Sequence, residues 1–305
     1  MPSIRDFLIC AGVSLTLAGA AYSGLAEAGR GTNKAAHATK KLSLRSAAAI
    51  VQDAQTGEIL YGKNASAVAP IASITKLMTA MVVLDAGLDL DQVITISDED
   101  LDALRGTHSR LRLGASLTRD ELLRLALMSS ENRAAAALGR TYPEGFEAFR
   151  QAMNHKAGML GMSDTHFDDA TGLSSANVAS AEDLVKLVRA AHRYPLIRDY
   201  TTLTAHEVHV GGRHLAFRNT NRLVASERWD IGLSKTGFTN DAGRCLVLQA
   251  KLAEREVIIV LLDSWGKLSR IGDANRIRAW LEANSRPPGG SAHKSAKEAS
   301  RLAPG

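Results

Sequence analysis

Pro70-IASITKLMTAMVV-Leu84 is the stretch that decides how this chain folds. Beyond Pro70, the apolar residues Ile74, Leu77, Met78, Met81 and Leu84 recur at helical spacing, which predicts a helix. The same stretch opens with Ser73-Ile-Thr-Lys76. That puts a serine at the helix N-terminus and a lysine amine one turn on, over the same face. A serine there feels the positive end of the helix dipole. Its N–H is free of helical bonding and can face an oxyanion. A serine hydroxyl is a poor nucleophile without a base. A lysine serves as that base only when neutral, and its reference pKa is about 10.4. Lowering that by about 3 units costs about 4 kcal/mol, which burial and a second nearby cation can impose. The stretch therefore asks for a helix whose Lys76 is buried, with a second cation brought near it from elsewhere.

Two further motifs supply such groups, Ser130-Glu-Asn132 and Lys235-Thr-Gly237. Short patterns recur by chance: Ser264 and Ser291 also open S-x-x-K, and Ser175 opens S-x-N. K-T-G occurs once. Taken singly, the pieces read as a helix cap, a surface lysine, a capped turn and a strand end. Ser73, Ser130 and Lys235 together stand in order, on a helix start, an interhelical turn and a strand. In that set Lys235 is the second cation and Ser130 relays a proton to a leaving amine. Asn132 bonds a substrate backbone, and Thr236 binds a carboxylate or amide. Gly237 lets a substrate strand come close, and the Phe238 N–H completes an oxyanion hole. Arg244 faces a substrate carboxylate or merely solubilises an edge strand.

Working outward, Ala48–Asp53 and Glu58–Tyr61 predict a hairpin around Gln55-Thr-Gly57. Thr118-x-x-Glu121 is a capping box that opens a helix through Leu127. Helices follow at 131–138, 145–160 and 181–193, the last capped by Ser180. Strands are predicted at Glu207–Val210, His214–Phe217, Gly232–Phe238, Arg244–Lys251 and Val257–Leu262, and a last helix at Arg270–Leu281. The fold class is α/β of the α+β kind. One antiparallel sheet joins the first hairpin to the late strands, terminal helices flank it, and the helical middle forms a subdomain. The cleft between the two layers is the expected site.

The 305 residues are 45% hydrophobic, enough for a sizeable core. Phe7–Ala26 carries no charge, and Ala26-Glu-Ala28 is a small-x-small cleavage pattern. Residues 1–28 read as a signal peptide cut after Ala28, and an uncleaved anchor is the alternative. Once the leader is removed Cys245 alone remains, so no intrachain disulfide is expected. The chain carries a net charge of +5. A basic linker at 29–45 holds +5, a low-complexity tail at 286–305 holds +3 and the leader −1, which leaves −2 for residues 46–285. The folded part is thus near neutral. The tails read as solvated and disordered, the tail running 284–305, with weak contact to anionic wall or membrane surfaces as their functional reading. Nucleic-acid binding has no support beyond them.

In Ile71–Gly87, Leu127–Ala136, Gly232–Leu246, His166-Phe167 and Thr171-Gly-Leu-Ser174, the chain resembles the low-molecular-mass penicillin-binding proteins of the serine D-Ala-D-Ala peptidase family. The resemblance spans about residues 46–283. It implies a penicillin-recognising serine peptidase/β-lactamase-like fold, acylation of Ser73 by peptidoglycan peptide stems, and inhibition by β-lactams. It implies the shorter, endopeptidase-like branch, with carboxypeptidase action as the alternative, a periplasmic setting, and no cofactor or metal.

Three rivals are weighed against it. A class A β-lactamase needs a glutamate to activate deacylating water, and residues 160–180 offer Asp164, Asp168 and Asp169 but no Glu. A lactam sensor would need later membrane segments. A zinc peptidase would have to use His206, His209 and His214, which fall on a predicted hairpin without an H-E-x-x-H helix.

Overall fold

The computed structural model describes residues 41–285. In chain order, strands β1 (Ser46–Asp53) and β2 (Ile59–Lys63) form the first hairpin. The two-residue strand β3 (Ala69–Pro70) leads into a 3-10 turn (Ala72–Thr75) and helix α1 (Lys76–Asp85). Strands β4 (Val93–Thr95) and β5 (Ser116–Thr118) pair with each other before α2 (Arg119–Met128), α3 (Asn132–Arg140) and α4 (Phe146–Met159). Then come β6 (Val178–Ala179), α5 (Ala181–Ala191), α6 (Pro195–Thr202), β7 (Ala205–Val210) and β8 (Arg213–Arg218). The chain continues through β9 (Asp230–Thr239), β10 (Gly243–Leu252), β11 (Arg255–Ser264) and α7 (Ser269–Ser285).

The main sheet runs β2-β1-β11-β10-β9, every neighbour antiparallel. Its three inner strands are apolar on both faces, because each face has its own core. Ile50, Val247, Ile258 and Val260 pack toward the helical middle, whereas Val51, Leu246, Leu248, Ile259 and Leu261 pack toward Ala274, Ile277 and Leu281 of α7. Period-two alternation thus divides one strand between two cores. At about 1.5–3 kcal/mol per fully buried aliphatic side chain, this double burial dominates the sheet's stability. Two residues join the first strand to the last helix: Asp273 of α7 accepts from the Ser46 amide at 2.7 Å and its hydroxyl at 2.6 Å.

Helix α1 is buried along Lys76–Val83. A helix apolar all round belongs inside a core, and α2 to α6 surround it. The expected caps are present: Thr118 Oγ1 accepts from the Glu121 amide at 3.1 Å while Glu121 accepts from the Thr118 amide at 2.9 Å. Ser180 accepts from the Asp183 amide at 3.2 Å.

Two expectations need correcting. The β7–β8 hairpin does not join the main sheet but forms a two-stranded sheet of its own. It has one face to bury, Val208, Val210 and Phe217, and lays it on the helical core, whereas a place inside the main sheet would need apolar residues on both faces. Its turn, Gly211-Gly212, has φ of 55° and 72°, as a tight hairpin requires. Helix α6, which starts with Pro195 in its first turn, lies where no helix was expected.

Candidate active site

Ser73 sits in the 3-10 turn just ahead of α1, not within the α-helix, which begins at Lys76. Ala72 before it has φ 48°, a left-handed conformation that costs an alanine energy and marks the turn as held by its surroundings. Two glycines do the holding. A Cβ on Gly172 would overlap the Ala72 carbonyl. A Cβ on Gly237 would lie 2.8 Å from Ile71 O and 3.2 Å from Ser73 N. Gly237 thus lies close against the turn carrying Ser73.

Lys76 reaches back one turn, its Nζ 2.8 Å from Ser73 Oγ. The amine also donates to Asn132 Oδ1 at 2.8 Å and to the Thr171 carbonyl at 2.6 Å. Its side chain is fully buried. Burial drives its pKa down to about 7, against the opposing pull of Asp169 and Glu131. Of the two expected causes, burial is present and Lys235 is not among the groups that shift Lys76.

Lys235 lies on β9, equally buried, and donates to Ser130 Oγ at 2.8 Å. Burial holds it well below the usual lysine range, and Lys76 and Arg270 add repulsion. Ser130 occupies the turn between α2 and α3 with φ 62°, strained for a non-glycine residue. That conformation accompanies a hydroxyl directed at Lys235.

Asn132 opens α3, and its amide nitrogen donates to Thr107 Oγ1 at 3.0 Å, which leaves the oxygen for Lys76. Thr236 Oγ1 meets Thr220 Oγ1 at 2.6 Å. The Phe238 side chain is 51% exposed on the edge strand, with the Arg244 guanidinium 4.2 Å above its ring centre. Arg244 lies directly across from Phe238 in the β9–β10 register. The structure therefore brings Ser73, Lys76, Ser130, Asn132, Lys235, Thr236 and Gly237 to one cleft edge, with Phe238 next in the strand.

Sequence reasoning missed four contributors. Thr171 acts through its backbone carbonyl. Asp169 holds the Thr171 loop by accepting from the amides of Thr171, Gly172 and Ser174 at 2.5–2.7 Å. Thr220 pairs with Thr236. Arg270 of α7 donates to Gly237 O at 2.6 Å and Cys245 O at 3.0 Å, bracing the K-T-G strand from behind. Burial and Arg244 push Arg270 down to about 10. Only Asp169 had a readable signal, the Asx-turn pattern Asp-x-Thr-Gly. Cys245 is buried and its thiol is pushed up to about 11, mainly by burial, as befits an inert packing residue.

The histidines of the zinc alternative lie on β7 and β8, where His214 pairs with Glu207 at 2.9 Å and touches His209 at 3.3 Å. Among the described residues no group of three or more His, Cys, Asp and Glu is placed to hold a metal.

A serine on a strained turn, a buried amine on its hydroxyl and a second serine–lysine pair across the cleft are the parts of an active-site-serine hydrolase. A family model described as D-alanyl-D-alanine carboxypeptidase matches residues 33–266. A D-alanyl-D-alanine endopeptidase from Pseudomonas aeruginosa is 49% identical over 243 residues, 78% of each chain. One from Escherichia coli is 44% identical over 256 residues, 83% of each. The crystal structure of a Streptomyces DD-transpeptidase superposes with a TM-score of 0.74 at 29% identity, covering 80% of this chain and 99% of that one. The chain belongs to the D-alanyl-D-alanine carboxypeptidase family. It is a hydrolase with the penicillin-recognising α/β fold of that family. Among the described residues no helix is long and apolar enough to cross a membrane.

Proposed function

We propose that this chain is a DD-endopeptidase that hydrolyses D-alanyl crosslinks between peptidoglycan stems through an acyl-enzyme on Ser73. The observation that carries the reading is the Lys76 amine, pushed down to about 7 and 2.8 Å from Ser73 Oγ. Such an amine is neutral often enough near pH 7 to act as base. Ser73 Oγ attacks the D-Ala carbonyl carbon while Lys76 takes its proton. The amides of Ser73 and Phe238 hold the oxyanion. Ser130 gives its proton to the leaving amine as the C–N bond breaks and takes in turn the proton that Lys76 removed from Ser73, which leaves Lys76 neutral again, while Lys235 keeps the Ser130 hydroxyl oriented. Water then attacks the ester, returning the proton to Ser73 Oγ and releasing a peptide carboxylate. Asn132 and the edge of β9 align the peptide, and Thr236 binds its carboxylate. A β-lactam takes the same path and stops at the ester.

Endopeptidase action is supported by the names of the 49% and 44% identical relatives. Carboxypeptidase action is the second reading, favoured by the description of the family model. The catalytic domain is assigned to residues 46–283. The enzyme is placed in the periplasm, with the leader cut after Ala28 and the basic tails drawn to anionic wall or membrane surfaces. The leader and most of both tails lie outside the described residues.

Mass spectrometry of the mature protein with penicillin, crosslinked muropeptide dimers and pentapeptide monomers tests this reading. A penicilloyl adduct on Ser73 with dimers cut to monomers is the expected result. Loss of terminal D-Ala alone would select the carboxypeptidase. An adduct on another residue in a folded Ser73→Ala protein would sink the mechanism.

A further inference from the structure

The cleft extends beyond the reacting groups on the Ser130 side. A cavity of about 440 Å3 opens between His108 and Arg110, the Ser130 turn (Ser129 and Glu131), and the end of β8 (Phe217 and Arg218). It is joined to the catalytic edge twice. Ser129 and Glu131 flank the Ser130 hydroxyl that Lys235 holds. Two residues after Arg218, Thr220 bonds Thr236 through its hydroxyl and Met128 O through its amide.

The walls are mostly polar and carry two guanidiniums, Arg110 and Arg218, against one carboxylate, Glu131. Arg110 is fixed: its guanidinium lies 3.8 Å above the Phe217 ring and donates to the Ala216 carbonyl. The Glu131 carboxylate is engaged, accepting from Ser109 Oγ at 2.5 Å and the Arg133 amide at 3.3 Å. Arg218 is exposed at the rim. An anion entering this cavity meets two guanidiniums and one carboxylate that is already hydrogen-bonded.

Resting on the endopeptidase reading above, we propose that this cavity is the subsite for the leaving peptide stem, with Arg110 and Arg218 recognising its carboxylates. The placement follows from the chemistry. Ser130 protonates the leaving amine, so the departing strand lies on the Ser130 and Thr236 side of the bond. A single D-Ala leaving group ends at Thr236 and does not reach Arg218. A stem released from a crosslink continues past it and carries free carboxylates, which guanidiniums bind in bidentate fashion. The cavity therefore acts on crosslinked substrates and is idle on terminal D-Ala.

Arg218 is the residue to test, because Arg110 also supports the β8 strand. Kinetics would be measured for Arg218→Ala, Arg218→Glu and Arg218→Lys on crosslinked dimers, pentapeptide monomers and penicillin, with Tm recorded for each. The ratio of dimer cleavage to penicillin acylation is expected to fall roughly threefold to tenfold in Arg218→Ala, through KM, as for loss of an exposed charge-assisted contact. It should fall further in Arg218→Glu and recover partly in Arg218→Lys. An unchanged ratio in both Arg218→Ala and Arg218→Glu, with wild type cutting dimers, would overturn the subsite alone. A wild type that acylates with penicillin but leaves dimers intact would overturn the endopeptidase reading and the subsite with it.

Discussion

Gly237 packs against the backbone of Ser73: a Cβ on Gly237 would meet the Ser73 nitrogen at 3.2 Å and the Ile71 carbonyl at 2.8 Å. Both neighbours are backbone, so neither can swing aside. A side chain at this position must push strand β9 and the nucleophile turn apart. Gly237→Val is expected to slow penicillin acylation of Ser73 by about 100-fold, the scale of a misplacement of about 1 Å. The β9–β10 ladder and both cores remain, so circular dichroism should show a folded protein. Acylation within a factor of about two of wild type would mean that the Ser73–Gly237 contact is not needed for catalysis.

As the proposed base, the Lys76 amine sets the expected pH dependence. With its pKa pushed down to about 7 by burial, it is protonated and unable to accept below that value and neutral above it. Penicillin acylation should therefore climb as pH rises through about 7 and level off beyond. Lys76→Arg keeps a cation that stays protonated at every working pH. Its acylation rate should drop by about 10²–10⁴, the usual worth of a general base. Stopped-flow acylation from pH 5.5 to 8.5 makes the measurement, and a flat wild-type profile would remove Lys76 as the base.

How much of this was legible in the sequence depends on the kind of atom involved. Ser73, Lys76, Ser130 and Lys235 act through side chains, and their motifs announce them. Strands β1, β10 and β11 show as apolar runs because each is covered on both faces. The Thr171 carbonyl carries no signature, since any residue could present one, and only the folded loop brings it to Lys76. Arg270 lies 35 positions beyond Lys235 and reaches Gly237 by way of a helix packed on the far face of the sheet. No local pattern encodes such a contact. The β7–β8 hairpin was recognised as strands, but its placement turns on which faces are buried, a property of the whole assembly.

Ser130 combines a strained backbone with a hydroxyl in use, and two substitutions separate them. At φ 62° alanine keeps the strain and glycine relieves it. Ser130→Gly and Ser130→Ala both leave Lys235 without its hydroxyl partner, so that loss cancels between them. Ser130→Gly should then be the more stable by about 1 kcal/mol, a difference in Tm of about 2–4 °C at this size. Both should lose peptide turnover by about 10²–10⁴, because proton delivery to the leaving amine fails in each. Equal melting temperatures would show that the left-handed turn costs nothing.

Asp169 bears on Lys76 by two routes. Its carboxylate accepts from three amides and so fixes the Thr171 carbonyl on the lysine. Its charge also raises the Lys76 pKa against the larger effect of burial. Asp169→Asn removes the charge and keeps the oxygen that takes the Thr171 and Gly172 amides, losing the Ser174 bond. The loop should largely hold, and Lys76 should become neutral at lower pH. The acylation profile is expected to move to lower pH, with the plateau reduced because a weaker base accepts less readily. Asp169→Ala gives up all three amide bonds, at about 1.5–3 kcal/mol for each lost bond to a charged acceptor, so it should lower Tm and the plateau together. The Asn variant decides the matter: a fall in rate with no movement of the profile would mean that Asp169 is scaffolding alone, whereas a shifted profile at near-native Tm would make it a group that sets the proton affinity of the base.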